Sequence, residues 1–262
     1  MNVDDLKRIL QDIKKLPVLD EYTKCGQRIT EYDNGNNGII KLFRYKKSLV
    51  YYYDKDGKLH NENGPARILF SVVGNKFILD ECVYYIHGLE SRKNGPSCIY
   101  YHNNRVSSEL YKVYGKYNSN LNKPSVIEYY DDGVIRKEEW RNEKNCYHRE
   151  NGPAVICYNE DGSITAKVYY YDGRIHRVDG EAFSNQYGVT EHYLYGEHYN
   201  TQKYYEIVSK VKKGKLPTNK DICDMTIPEF EKYMAITKGL NNDLYEELSA
   251  AHLMLVMLKN NL

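Results

Sequence analysis

No stretch of this chain stays apolar long enough to cross a bilayer: the longest run, 253–258, has six residues, against the ~20 a membrane helix needs. Net charge is lacking too. Thirty-seven basic residues meet 36 acidic ones, a formal +1 at pH 7, so no global field gathers polyanions and DNA is not an expected partner. The six cysteines (25, 82, 98, 146, 157 and 223) include no Cys-x-x-Cys pair. That argues against a thiolate zinc site, and they are too sparse for a secreted disulfide scaffold; reduced thiols are expected. The acidic opening Met1-Asn2-Val3-Asp4-Asp5 is wrong for a secretory signal. A soluble, cytoplasmic protein is the expectation. Catalytic signatures are missing as well: there is no Gly-x-Ser-x-Gly, no phosphate-cradling glycine loop and no His-Glu-x-x-His.

Phenylalanine (five) and tryptophan (one) are scarce, yet tyrosine occurs 28 times. That balance suits a thin structure whose side chains must be apolar at one end and wet at the other. The tyrosines fall within a repeat. Asn63-Gly64-Pro65-Ala66, Asn94-Gly95-Pro96-Ser97, Asn122-Lys123-Pro124-Ser125 and Asn151-Gly152-Pro153-Ala154 recur, with Asp179-Gly180-Glu181-Ala182 as a degenerate fifth copy. The steps between the proline positions are 31, 28, 29 and 28 residues, the regular period of a repeat architecture. One, three and five residues beyond each proline stand Ala66/Ile68/Phe70, Ser97/Ile99/Tyr101, Ser125/Ile127/Tyr129 and Ala154/Ile156/Tyr158. Alternation of this kind marks a strand with one apolar face. Turns follow at Gly74, Asn103-Asn104, Asp132-Gly133, Asp161-Gly162 and Gly188, and at the Asp-Gly copies type I′ hairpin geometry is expected. A third set at Gly57, Gly88, Gly173 and Gly196 leads through an extended connector into the next unit.

Tyr147-His148-Arg149-Glu150-Asn151-Gly152-Pro153-Ala154 and Tyr171-Asp172-Gly173-Arg174-Ile175-His176-Arg177-Val178-Asp179-Gly180 resemble a MORN-repeat variant common in large DNA viruses and bacteriophages. In that resemblance Tyr85, Trp140, Tyr170 and Tyr193 take the family's aromatic position, and His60, His148 and His176 its histidine. Ser91 and Ser119 replace that histidine, Lys123 replaces a glycine, and 142–147 is longer than the norm. The resemblance covers roughly 30–200. It implies an open single-layer sheet in an adaptor, a membrane-apposed platform or a virion component, and no single activity.

The fold expected is mainly β with α-helical termini: an elongated single-layer antiparallel β-meander of about five tandem repeats plus a small C-terminal helical domain. The divisions are 1–28 (helix and lead-in), 29–202 (repeats) and 203–262 (helices). Leu6, Ile9, Leu10 and Ile13 follow helical spacing before Pro17. Tyr204, Ile207, Val208 and Val211 mark a second helix, ending before Leu216-Pro217; Thr226-Ile227-Pro228-Glu229 is a capping box that opens a third, with Gly239 its stop. Leu244, Leu248, Ala251, Leu255 and Leu258 mark a fourth.

With strands ~4.8 Å apart and two per repeat, equivalent histidines lie about 10 Å apart, too far to share a metal. They are expected to bond connector backbone instead. His192 and His198 flank a turn and are within possible reach of each other, without carboxylate or thiolate support. No catalytic residues, no metal and no cofactor are assigned, and a meander offers no water-excluding pocket within the repeats. The leading expectation is a non-enzymatic scaffold binding a viral or host protein, or itself, in a virion or the host cytoplasm. Tyr85, Trp140, Tyr170 and Tyr193 are its candidate contact residues. The alternative is a module that captures a small anion or nucleotide signal through Arg149, Arg174 and Arg177; a hydrolase or nuclease ranks third. Lys210, Lys212, Lys213 and Lys215 form a basic patch that could touch an anionic lipid surface, although a solvated linker is the simpler reading.

Overall fold

The computed structural model describes residues 1–35, 38–44, 46–117, 123–215 and 225–260, with the side chains of 253–260 left aside. Ser119, Asn122, Leu216, Pro217, Cys223 and the side chains of the 253–258 run lie outside the described residues. The chain is mainly β, meandering and antiparallel, with helices at both ends. None of those helices is long and apolar enough to cross a membrane among the described residues. Two compact units are distinguished, one of residues 1–145 with 158–163, the other of 146–157 with 164–262.

The first unit opens with α1 (Val3–Ile13), whose Asn2 side chain accepts from the Asp5 N–H while the Asp5 carboxylate accepts from the Asn2 N–H. Ten strands follow in one sheet: β1 (Val18–Lys24), β2 (Gln27–Asp33), β3 (Ile39–Arg44), β4 (Ser48–Tyr53), β5 (Arg67–Val73), β6 (Lys76–Val83), β9 (Cys98–His102), β10 (Arg105–Leu110), β13 (Val126–Tyr129) and β14 (Ile135–Glu139). Two small hairpins, β7 (Tyr85–Ile86) with β8 (Leu89–Glu90) and β11 (Lys112–Val113) with β12 (Lys116–Tyr117), stand outside it. The sheet therefore begins before residue 29, and the 28/29 division falls inside β2. The N-terminal helix is part of this unit's core: Leu6 and Ile13 pack on Ile40, Leu42, Val50, Ile68, Phe70, Leu79, Ile99 and Tyr101. The isoleucine–aromatic face of the first two repeats is thus covered by the chain's own helix.

The second unit carries β15 (Val155–Tyr158, its last residue assigned to the first unit), β16 (Ile164–Val168), β19 (Phe183–Asn185), β20 (Thr190–Leu194) and β21 (Glu197–Tyr199) as antiparallel neighbours, with β17 (Tyr170–Tyr171) and β18 (Arg174–Ile175) as a separate hairpin. Three helices follow, α2 (Thr201–Lys212), α3 (Ile227–Thr237) and α4 (Asn242–Asn260). The 202/203 division falls inside α2, because Leu194 and Tyr199 of the last two strands share one core with Tyr204, Ile207, Phe230, Ile236 and Leu248. As expected, Thr226 caps α3: its N–H and hydroxyl both donate to the Glu229 carboxylate.

The turns differ from the sequence expectation. At Asp132-Gly133 and Asp161-Gly162 only the glycine has positive φ (93° and 81°), so these are three-residue loops, a type I turn followed by a left-handed glycine. Paired positive φ occurs at Asn103-Asn104, at Tyr114-Gly115 and at three of the third turn set, His87-Gly88, Asp172-Gly173 and Tyr195-Gly196, but not at Gly57. There the presumed extended connector folds back, in three copies as the small hairpins β7–β8, β11–β12 and β17–β18.

Each small residue after the proline position is enclosed: Ala66, Ser97, Ser125, Ala154 and Ala182 are at most 1% exposed. The Ala66 N–H donates to the Val83 carbonyl, and its own carbonyl accepts from the Tyr52 N–H. Ser97, bonded to Leu110 and Tyr84, and Ala182, bonded to Glu191 and Tyr169, repeat the pattern. No room exists for a branched side chain. Ala66→Val is expected to cost about 1–3 kcal/mol through overpacking, whereas Ala66→Ser, the residue found at two equivalent sites, should cost less than about 1 kcal/mol; urea unfolding measures both.

Tyrosine finishes the parts of the sheet that no helix covers. Tyr22 donates to Glu31 at 2.7 Å, Tyr111 and Tyr129 both donate to Glu109 at 2.8 and 2.9 Å, and Tyr193 donates to Glu191 at 2.8 Å. The ring lies on the sheet while the hydroxyl meets a carboxylate, an arrangement phenylalanine cannot make.

Candidate functional site

The recurring histidines are built into the backbone. His60 Nδ1 accepts the His87 N–H at 3.2 Å, His148 Nδ1 the Asp172 N–H at 3.1 Å, and His176 Nδ1 the Tyr195 N–H at 3.1 Å. Each donor is the first positive-φ residue of the next unit's turn, an amide the hairpin itself leaves unpaired. Each following glycine then donates to the connector: Gly88 to Leu59, Gly173 to Tyr147 and Gly196 to Ile175. The histidine position is a clip between successive units.

The residue after each histidine position, Ser91 included, closes its own turn. Arg92 donates to the Pro96 carbonyl, Arg149 to Pro153, Arg177 to Glu181, and Asn61 does the same to Pro65. The Arg92 and Arg177 guanidinium groups also lie over Tyr84 and Tyr169, 3.9 and 4.1 Å from the ring centres. A Cβ on Gly152 would stand 3.2 Å from the Arg149 guanidinium carbon, and φ there is +138°. The positive φ is what favours glycine there; the arginine end would only have to shift slightly.

The four aromatic candidates do not share one register. The carbonyls of Tyr85, Tyr170 and Tyr193 accept from Asn61, Arg149 and Arg177, which makes them equivalent, and all three are half-buried. Trp140 follows Glu139, the acceptor of the Ser125 N–H, and so aligns with Tyr84 and Tyr169; it is 5% exposed. Trp140 therefore stands one residue earlier in its repeat than the other three do in theirs.

His192 and His198 do not approach each other. His192 pairs across the hairpin with Tyr199 and Tyr193 with His198, so the two rings leave opposite faces. His192 is buried against Tyr204, with ring centres 4.4 Å apart, and His198 packs on Tyr193 at 5.1 Å. Among the described residues no group of three His, Cys, Asp or Glu side chains is placed to hold a metal ion. Burial pushes the Cys82 and Cys98 thiols up to about 12, so both are poor nucleophiles at neutral pH.

The second unit does contain a recess. Its α3 C-terminus lies over the connector of the fourth and fifth repeats and leaves a cleft of about 530 Å³, within the range of ordinary ligand sites. The expectation that no pocket accompanies the repeats overlooked this helix–connector contact. Tyr169, Tyr170, Tyr171, His176, Arg149, Arg177 and Lys238 line the cleft together with Glu150 and Asp179. Its charges answer one another. Lys238 Nζ meets Glu150 at 2.7 Å and stands 5.4 Å from the Tyr171 ring centre; Arg177 Nε meets Asp179 at 2.6 Å. The Lys238 ammonium holds the Glu150 carboxyl below the usual carboxylate range. His176 forms the hinge of the cleft: Nδ1 accepts from Tyr195, so Nε2 carries the proton and donates to the Ala235 carbonyl at 3.0 Å. Burial lowers its pKa to about 4.

Of the anion candidates, Arg149 and Arg177 thus meet in this cleft. Arg174 does not join them; it stacks on Tyr195 at 4.4 Å in a separate depression bordered by Glu229 and Lys232. Lys238 was missed in the sequence because its partner Glu150 is 88 residues away and no local pattern links them. No family model matches the chain, and neither a curated protein nor a solved structure does.

Proposed function

We propose that this protein is a non-enzymatic repeat scaffold that binds a partner protein through the Tyr/Arg cleft of its second unit. The composition of that cleft is the observation that carries the reading. Tyrosine and arginine are the residues that dominate binding energy at protein interfaces, and here three tyrosines and two arginines converge with Lys238 in one recess. The repeat histidines and arginines support a binding role over a catalytic one, since they are occupied with main-chain amides and carbonyls. The virion or host-cell setting implied by the MORN-like grammar belongs to this proposal, and proteomics of purified particles tests it.

Small-anion capture is the second reading, favoured by the meeting of Arg149, Arg177 and Lys238. An anion there has to displace Glu150 and Asp179 from the cations they already hold. Tyr170→Ala combined with Lys238→Glu is expected to weaken partner capture at least ~10-fold, a loss of about 1.4 kcal/mol or more. Equal capture by both proteins would remove the cleft as the contact surface. A rise in melting temperature with inorganic phosphate or a nucleotide, lost in the same variant, would instead establish the second reading.

A further inference from the structure

A second recess lies in the first unit, beside α1, and takes no part in the cleft. We infer that it binds a short acidic peptide segment anchored by a bulky apolar side chain. It is a groove of about 410 Å³ running between one flank of α1 and the sheet. Leu42 and Phe70, each 3% exposed, form its floor with Leu10 and Phe77, while Val72, 47% exposed, stands at its mouth. An apolar floor of this depth suits a leucine- or phenylalanine-sized anchor.

Its charge identifies the occupant. Lys7, Lys14 and Arg44 are the ionised side chains lining the groove, and among the described residues no carboxylate lines it. In a chain with 37 basic and 36 acidic residues, such a one-sided lining calls for a negative partner. Lys7 has an exposed contact with Asp4 at 3.2 Å, and Arg44 donates to the Thr30 hydroxyl at 3.1 Å, with Glu21 beyond it near enough to feel its charge. The exposed Lys7–Asp4 contact is weak and gives way to a better-placed anion.

The spacing of the cations separates a peptide from a single-headed amphiphile. Lys7 and Lys14 are seven residues apart on α1, about 10.5 Å along its axis, and Arg44 belongs to β3 on the sheet side. One carboxylate head reaches only one of these positions. A segment with acidic residues on both sides of its apolar anchor reaches all three, and complementary charge of this sort steers association and fixes register. This inference does not rest on the cleft reading.

The experiment uses the full chain and a fluorescein-labelled twelve-residue peptide of Asp and Glu flanking a central Leu-Phe pair, read by anisotropy in 50 mM salt. Binding is expected, weakened at least ~10-fold by Lys7→Glu with Lys14→Glu, weakened also by Val72→Asp, and absent for the Asn/Gln analogue of the peptide. All three positions are exposed, and circular dichroism checks that the fold is retained. Equal binding by the parent and the charge-reversed protein overturns the proposal. So does a melting-temperature rise with sodium dodecanoate when the peptide fails to bind, which assigns the groove to an amphiphile. Self-association in sedimentation, abolished by the same charge reversal and without peptide binding, overturns it in favour of a second copy of the chain.

Discussion

His176→Ala is expected to destabilise the protein by about 2–4 kcal/mol, the cost of two buried main-chain groups left without partners. The substitution strips the acceptor from the Tyr195 N–H and the donor from the Ala235 carbonyl at once, at a position 8% exposed. A pH dependence accompanies it. Folding lowers the His176 pKa from 6.5 to about 4, chiefly by burial. Between those values the unfolded chain binds a proton that the folded chain refuses, so stability falls as pH drops from about 6.5 towards 4 and then levels off. Full expression of that shift corresponds to roughly 3 kcal/mol. Urea unfolding of the parent and of His176→Asn at pH 7.5 and pH 4.5 measures it: the parent should lose stability from this site on acidification, and the variant should lack that component. Equal acid sensitivity in both would remove His176 as its source.

The second large effect belongs to α1. Leu6 is fully enclosed among the sheet residues of the first unit, and Leu6→Ala is expected to cost about 2–5 kcal/mol, the range for a leucine truncated in a core that cannot collapse onto the gap. Trp140, the chain's single tryptophan, is 5% exposed in the same unit, so its fluorescence follows that unfolding directly. A shift below about 1 kcal/mol would mean that α1 is a peripheral attachment and that the sheet stands without it.

The repeat period, the apolar alternation and the Thr226 capping box could all be read from the chain because each depends on residues close in sequence. Ala66 and its equivalents declared a strand start, although the reason they are small, enclosure between two neighbouring strands, shows only in three dimensions. The histidine position was expected to serve the backbone, and does so at His60, His148 and His176. Turn type was misread because Asp-Gly satisfies either a type I′ turn or a type I turn with a left-handed glycine; the flanking register decides between them, and local composition does not. Trp140 was grouped with Tyr85 by chemical likeness, and the longer 142–147 segment hid a one-residue offset. The cleft escaped entirely. It exists because the end of α3 reaches back over the 146–179 region, a contact between segments that share no pattern in the sequence.

The central claim is that the recurring histidines clip one repeat to the next, each Nδ1 accepting a main-chain N–H. Long-range ¹⁵N–¹H correlation spectra of the imidazole rings at pH 7.5 test it most directly. His60 and His176 should each appear as a single Nε2-protonated tautomer, with Nδ1 shifted by its bond to the His87 or Tyr195 amide. Rings protonated at Nδ1, or averaging rapidly between tautomers, would contradict it and return these side chains to the pool of groups free for catalysis or ligand capture.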